Sequence, residues 1–96
     1  MSKHQERKET PIYRGVLCYF PNAIAEVARV SFVCNNQHNP GEPMHWAKEK
    51  STDEPDALLR HLTDHARGEV FDDEGIRHLS KVAWRALALL ERDLEK

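Results

Sequence analysis

Residues 53–91, DEPDALLRHLTDHARGEVFDDEGIRHLSKVAWRALALLE, predict two helices joined by a short turn. The first helix starts near Thr52 or Asp53, either of which can act as its N-cap, and Gly68 is a typical C-terminal stop. This helical hairpin concentrates acids, imidazoles and cations: His61, Asp64, Glu69, Asp72, Asp73, Glu74, His78, Lys81 and Arg85. We therefore expect any chemistry of the chain to lie here.

Both helices of the hairpin carry apolar residues at helical spacing, which predicts the side that each one buries. The predicted buried stripe of the first helix is Leu58, Leu59, Leu62 and Ala66. The second helix is predicted to run from about Glu74 almost to the C-terminus, with Asp72 or Asp73 as its cap. Its predicted core stripe is Ile76, Leu79, Ala83, Ala86, Leu87, Leu90 and Leu94.

Working outward from the hairpin, residues 22–38 (NAIAEVARVSFVCNNQH) predict another helix, started by Pro21. After it, Pro40, Gly41 and Pro43 predict a loop of about 15 residues. Residues 11–20 suit an extended arm packed on a helix, and residues 1–10 a disordered tail. The predicted fold is thus an all-α bundle of three main helices with an N-terminal extended arm, forming one domain over residues 11–96.

Length and charge limit the classes of function. A chain of 96 residues forms one domain with a thin core, so we expect it to be completed by homo-oligomerisation, as a dimer or larger assembly. The net charge of −2 does not favour nucleic acid as a partner. The sequence shows neither a membrane-spanning apolar run nor a signal peptide, which predicts a cytoplasmic protein with no membrane partner. Cys18 and Cys34 are then expected to be reduced core residues.

A second stripe on the first helix of the hairpin, Ala57, His61 and Asp64, lies beside its leucines. A histidine and an acid three residues apart can bind one divalent ion, or the acid can orient the imidazole as a base. Glu26, at the edge of the apolar side of the upstream helix, is a further candidate ligand. Solvated surface side chains are the alternative reading of all three polar residues.

The second helix of the hairpin presents Glu74, His78, Lys81 and Arg85 on one side. Acids at one end and cations at the other suit a metal-bound polyphosphate, because carboxylates hold the cation and Lys and Arg hold phosphate oxygens. Ordinary pairing between surface charges one turn apart would give the same residues. In the loop, Trp46 near Lys50 suits recognition of a flat base, while filling the small core is its other reading.

Three segments together resemble a known family: ARVSFVCNNQHNPGEPMHW (28–46), KSTDEPDALLRHLTD (50–64) and EGIRHLSKVAWRALALLE (74–91). They are similar to the phage and prophage dATP/dGTP diphosphohydrolases, a branch of the MazG-like, all-α nucleoside triphosphate pyrophosphohydrolases. The resemblance covers about residues 16–92. The chain departs from it at Asn36, where relatives often have an acid, and at Glu54, where they often have a histidine. The family positions that it keeps are Asn39, Pro40, Gly41, Trp46, Lys50, Ser51, Thr52, Asp53, Arg60, His61, Asp64, Arg77, His78, Lys81, Trp84 and Arg85.

The resemblance implies metal-dependent hydrolysis of a purine deoxynucleoside triphosphate to monophosphate and pyrophosphate, in a bacterial cell that carries the phage or prophage gene. Mg²⁺ or Mn²⁺ would be held by Glu26, His61 and Asp64. The catalytic residues would be His61, Asp64 and His78, and the substrate would be bound by Trp46, Lys50, Asp53, Lys81 and Arg85. The alternative is a non-catalytic helical module that binds a nucleotide or a protein, which the missing acid at Asn36 favours.

Overall fold

The computed structural model describes residues 2–50 and 52–96, apart from the side chain of Lys50, and these residues form an all-α chain. The elements in order are α1 (Lys3–Lys8), a π-helical turn (Tyr13–Leu17), α2 (Pro21–His38), a 3-10 turn (Lys48–Lys50), α3 (Glu54–Ala66) and α4 (His78–Leu94). The predicted all-α class and the three main helices, α2 to α4, are therefore confirmed.

The two helices of the hairpin, α3 and α4, form the main contact of the fold, and α2 packs on α4. The apolar core is as thin as predicted: among the described residues, the buried apolar side chains are Val30, Ala57, Ile76 and Ala88. The buried polar and charged residues are at least as numerous: Glu54, His61, His78, Ser80 and Lys81. The interior between the helices is therefore largely polar.

The predicted leucine stripes are not buried in the single chain. In α3, Leu59 and Leu62 are exposed, and in α4 the exposed stripe includes Leu79, Leu90 and Leu94. Ile76 is buried as predicted, but the prediction was wrong for these leucines because α3 meets α4 through alanines and paired charges, such as Ala57 at 0% and Glu54 at 1% exposure. This contact turns the leucine side of each helix outward.

The N-terminal region also differs from the prediction. The arm is not extended, because Tyr13–Leu17 forms a π-helical turn that contacts α2. Within the predicted disordered tail, Lys3–Lys8 forms a short helix, in which the Ser2 hydroxyl accepts a hydrogen bond from the Gln5 N–H (3.1 Å). This N-cap satisfies one of the free donors of the first turn. None of the helix is buried, and the placement of residues 1–10 outside the domain stays a prediction.

Two further findings concern the membrane and the thiols. Within residues 2–50 and 52–96, no single helix has the length and hydropathy to cross a bilayer; one bent pair, Lys3–Leu17 with Pro21–His38, meets that requirement jointly. Cys18 and Cys34 are both free, as expected. Cys34 is half-buried, but Cys18 is exposed and is not the core residue that we predicted.

Candidate active site

The end of α3 brings two acids together. Gly68, with a φ of +94°, lets the chain reverse, and its N–H donates to the His65 carbonyl (2.9 Å) while the Glu69 N–H donates to the Asp64 carbonyl (3.1 Å). This pair of bonds is the Schellman arrangement, for which glycine is favoured because a left-handed backbone strains residues with a Cβ. As a result, Glu69 lies directly beside Asp64.

The turn from α3 to α4 is built on the side chain of Asp72. Its Oδ1 accepts hydrogen bonds from the N–H groups of Glu74 (2.9 Å) and Ile76 (3.0 Å). The His78 N–H then donates to the Val70 carbonyl (2.9 Å), which returns the chain to the end of α3. Asp72 therefore caps the turn rather than a helix, and α4 begins at His78, not near Glu74 as predicted.

Asp64, Glu69 and His78 form the candidate metal centre. Each offers one ligand atom, and these three atoms all lie within 4.8 Å of one another. His78 is buried, Asp64 is partly buried and Glu69 is exposed, so the group opens to solvent on the Glu69 side. Two carboxylates and one imidazole nitrogen fit Mg²⁺ or Mn²⁺, with the imidazole favouring Mn²⁺, and leave positions for water or phosphate oxygens.

His61 orients His78. Their Nδ1 atoms lie 2.8 Å apart in the buried interior, so one nitrogen donates and the other accepts. On the far side of the ring, His78 Nε2 lies 3.9 Å from Glu69 Oε2. When His78 Nδ1–H donates to His61, the lone pair of Nε2 faces the carboxylates, as a metal-ligating histidine requires. This arrangement needs a neutral His61.

The surroundings of His61 favour that neutral form. Burial lowers the pKa of His61, and the charge of Lys81 and the neighbouring His78 lower it further. A histidine whose pKa is lowered by folding resists protonation in the native state, while the unfolded chain takes up the proton near the ordinary value of 6.5. The stability that His61 contributes is therefore complete above pH 6.5 and is lost as the pH falls below it.

We predict that the free energy of unfolding of the wild type falls between pH 7.5 and pH 5.5 more steeply than that of His61→Asn. The difference is at most about 1.4 kcal/mol per pH unit, the effect of one proton. The asparagine amide stands near the position of Nδ1 and keeps a hydrogen-bonding group there without titrating. Urea denaturation of both proteins at several pH values measures the two slopes, and parallel slopes would contradict the assignment.

The two predicted phosphate-binding cations are paired with carboxylates. Lys81 Nζ lies 2.5 Å from Asp72 Oδ2 and 2.6 Å from Glu74 Oε1. Although burial opposes its charged form, these two acids raise the pKa of Lys81. The Arg85 guanidinium lies 3.3 Å from Glu54 Oε1 and is partly exposed. Glu54, at a position where the resembled family often has histidine, therefore already forms an ion pair with Arg85. Phosphate binding by either cation stays a prediction.

Two further predicted site residues, Glu26 and Asp53, lie outside the candidate metal centre. Glu26 accepts a hydrogen bond from the Ser80 hydroxyl (3.3 Å), and among the described residues it is not part of the metal-ligand group. Asp53 occupies the N-cap position of α3 but makes no side-chain capping bond. The side chain of Lys50 lies outside the described part of the chain. Metal binding by Glu26 and substrate binding by Asp53 and Lys50 therefore stay predictions.

Trp46 lines a cavity of about 680 Å³ between α2, α4 and the loop that joins α2 to α3. Its ring meets Trp84 edge to face, with the centroids 5.4 Å apart. The Trp46 Nε1 is buried and has no hydrogen-bond partner in the described part of the chain. The cavity also contains polar side chains; its lining includes Ser31, Cys34, Asn35, His38, Asn39 and His45.

Glu69 is the residue that the sequence reasoning missed as a ligand. Helical periodicity cannot place it, because it follows the end of α3. The available signal was Gly68, directly before it in the chain. A Schellman turn places the residue that follows the glycine beside the residue four positions before the glycine. That rule predicts that Glu69 lies next to Asp64.

Comparison with known proteins identifies a family for the chain. A family model described as dATP/dGTP diphosphohydrolase, N-terminal, matches residues 2–96. No curated protein matches the chain, and no solved structure matches it.

Proposed function

We propose that the chain, which belongs to the dATP/dGTP diphosphohydrolase, N-terminal family, hydrolyses purine deoxynucleoside triphosphates between the α and β phosphorus atoms. Water adds to one of these atoms, and the products are the monophosphate and pyrophosphate. The observation that carries the proposal is the convergence of Asp64, Glu69 and His78, whose ligand atoms lie within 4.8 Å of one another. The family description supplies the substrate class.

Asp64, Glu69 and His78 would hold Mg²⁺ or Mn²⁺ through two carboxylates and His78 Nε2. A bound divalent ion supplies a water of lowered pKa and neutralises charge that develops on the phosphate oxygens. His61 acts as a positioning residue, because its Nδ1 fixes the tautomer of His78 rather than pointing into the ligand group. This role replaces, in our proposal, the direct metal binding by His61 that the sequence suggested.

Arg85 is the better placed of the two cations to bind phosphate. Its side chain is about one quarter exposed, and its forked guanidinium can share donors between Glu54 and a phosphate oxygen. Lys81 is only 8% exposed and already has two acidic partners. We therefore propose that Lys81 acts mainly by fixing the turn that carries Asp72 and Glu74.

We also propose that the chain forms a homo-oligomer through the leucine face of α3 and α4. Leu90 is 54% exposed and Leu94 is 71% exposed, and Leu59 and Leu62 add to the exposed apolar area. Large apolar side chains exposed on a small domain are candidates for subunit contacts. Leu90→Glu is expected to lower the molar mass measured by sedimentation equilibrium to that of one chain. A monomeric wild type would contradict the proposal.

The function is tested by product analysis with the four common deoxynucleoside triphosphates and their ribose counterparts, in Mg²⁺ and in Mn²⁺. We expect dATP or dGTP to give equal amounts of monophosphate and pyrophosphate, resolved by phosphorus NMR. Release of inorganic phosphate with a diphosphate product would contradict cleavage between the α and β positions. Absence of turnover with every nucleotide, in folded protein, would favour the non-catalytic binding module.

A further inference from the structure

We infer that the cavity lined by Trp46 and Trp84 binds the purine base and sugar of the nucleotide, an inference that rests on the proposed function. Its volume of about 680 Å³ lies within the range of small-molecule sites, about 300–1,000 Å³. Aromatic rings with a few polar groups are the usual lining of a site for a flat heteroaromatic ligand.

Hydrogen bonds within the chain hold one wall of this cavity in place. Asn35, on α2, donates from Nδ2 to the Glu42 carbonyl (3.1 Å) and accepts from the His45 N–H (3.2 Å). These two bonds hold the loop against α2, directly before Trp46. A preformed wall lowers the ordering cost that a ligand must offset on binding.

The two tryptophans give the cavity its aromatic surface. Trp84 is fixed, because its Nε1 donates to the Ser31 hydroxyl (2.8 Å). Among the described residues the Trp46 Nε1 has no hydrogen-bond partner, and leaving a buried donor unpaired is unfavourable. A purine base that enters the cavity can supply the missing acceptor, a ring nitrogen or a carbonyl oxygen, once the indole turns to expose this nitrogen. Purines offer such acceptors on more than one edge.

The charges around the cavity orient the nucleotide. The guanidinium of Arg85 lies over the Trp84 ring, with its central carbon 5.5 Å from the ring centroid. Burial raises the pKa of the Cys34 thiol; among the nearby charges, Lys81 and Arg85 lower it and Glu74 and Asp72 raise it. Along α4, Trp84 follows His78 by six residues, or about 9 Å at 1.5 Å per residue. Trp84 also lies about 120° around the helix from His78, with Lys81 between the two, so a nucleotide with its base beside Trp84 extends its phosphates past Lys81 toward the candidate metal centre.

The two thiols of the chain can test this site. Cys34 lines the cavity and reports its occupancy, while Cys18 is exposed outside the cavity and serves as the control. Alkylation of both thiols by N-ethylmaleimide is followed in one sample of the wild-type protein by peptide mass spectrometry, in EDTA to prevent turnover. The probes are dAMP, dGMP and dATP, with inorganic pyrophosphate as the ligand that lacks a base. Calorimetry supplies the Kd of each.

We expect a purine nucleotide at ten times its Kd to slow alkylation of Cys34 by about tenfold, because only the free fraction reacts. Cys18 should react at an unchanged rate, and pyrophosphate should leave Cys34 unprotected. The inference would be overturned if bound nucleotide left the alkylation rate of Cys34 unchanged, or if it slowed Cys34 and Cys18 equally. It would also be overturned if pyrophosphate protected Cys34 as well as the nucleotides do. Nucleotides that fail to bind at all would overturn it too.

Pyrophosphate release, measured separately with metal present, distinguishes this inference from the proposed function. Protection of Cys34 by purine nucleotides without pyrophosphate release supports the cavity as a base site and contradicts hydrolysis. Release without protection supports hydrolysis and places the base elsewhere.

Discussion

Glu69→Gln is expected to raise the concentration of Mg²⁺ or Mn²⁺ needed for half-maximal pyrophosphate release by about 10- to 100-fold or more. Changing a residue that only supports a metal ligand typically costs 10–100-fold, and a ligand itself should cost at least as much. The amide keeps the size of the carboxylate but loses its charge and one good oxygen donor. Because the Glu69 side chain is 62% exposed, the substitution should not disturb the fold.

Asp73→Asn is the matched control for this substitution. Asp73 is an exposed acid of the same turn and lies outside the group formed by Asp64, Glu69 and His78. It changes the net charge by the same amount, so it reports any general electrostatic effect on metal or substrate. Initial rates over a metal titration measure both variants. Equal shifts for Glu69→Gln and Asp73→Asn would show that Glu69 is not a ligand.

Lys81→Met is expected to lower the free energy of unfolding by about 3–5 kcal/mol, the usual cost of removing one partner from a buried ion pair. Lys81 is 8% exposed, and its ammonium lies within 2.6 Å of oxygens of Asp72 and Glu74. Methionine fills a similar volume but leaves both carboxylates without their cation. Asp72 also templates the turn, so the loss should extend to the position of His78.

Lys48→Met provides the comparison for Lys81→Met. Lys48 also has an acidic partner 2.6 Å away, Glu95, but both side chains of this pair are more than 40% exposed. Water and salt screen an exposed pair, so this substitution should leave stability almost unchanged. Urea denaturation at pH 7 measures both proteins. Similar losses for the two variants would show that burial is not what makes the Lys81 pair important.

The helices themselves could be predicted because their signals are local. Pro21 starts α2, Pro55 lies in the first turn of α3, and Gly68 follows its end, as the sequence indicated. The start of α4 was wrong because Asp72 uses its carboxylate for a tight turn, and Gly75, with φ of +77°, continues that turn. Capping and turn formation use the same residue types, so composition alone does not separate them.

The side that each helix buries could not be predicted from periodicity. A leucine stripe shows which side is apolar, but not whether α2, another helix of the same chain or a second copy covers it. In this chain the polar side of α4 faces inward, because Lys81 pairs with Asp72 of the preceding turn and Arg85 pairs with Glu54 of α3. Charge pairs between different segments leave no periodic signal in the sequence.

The candidate site was predicted in part. His61, Asp64 and His78 do meet at one place, since His61 contacts His78 and Asp64 lies with His78 in the ligand group. Glu69 joins them through a turn that lies outside any helical pattern. Glu26 instead contacts Ser80.

The most direct test of the central claim is the initial rate of pyrophosphate release from dATP and dGTP, measured in the wild-type protein with EDTA and over a titration of Mg²⁺ and Mn²⁺. We predict no release in EDTA and saturable release with at least one of the two metals. Release that persists at the same rate in EDTA would contradict a metal centre at Asp64, Glu69 and His78. Absence of release under every condition, in protein shown to be folded, would contradict the proposed hydrolysis itself.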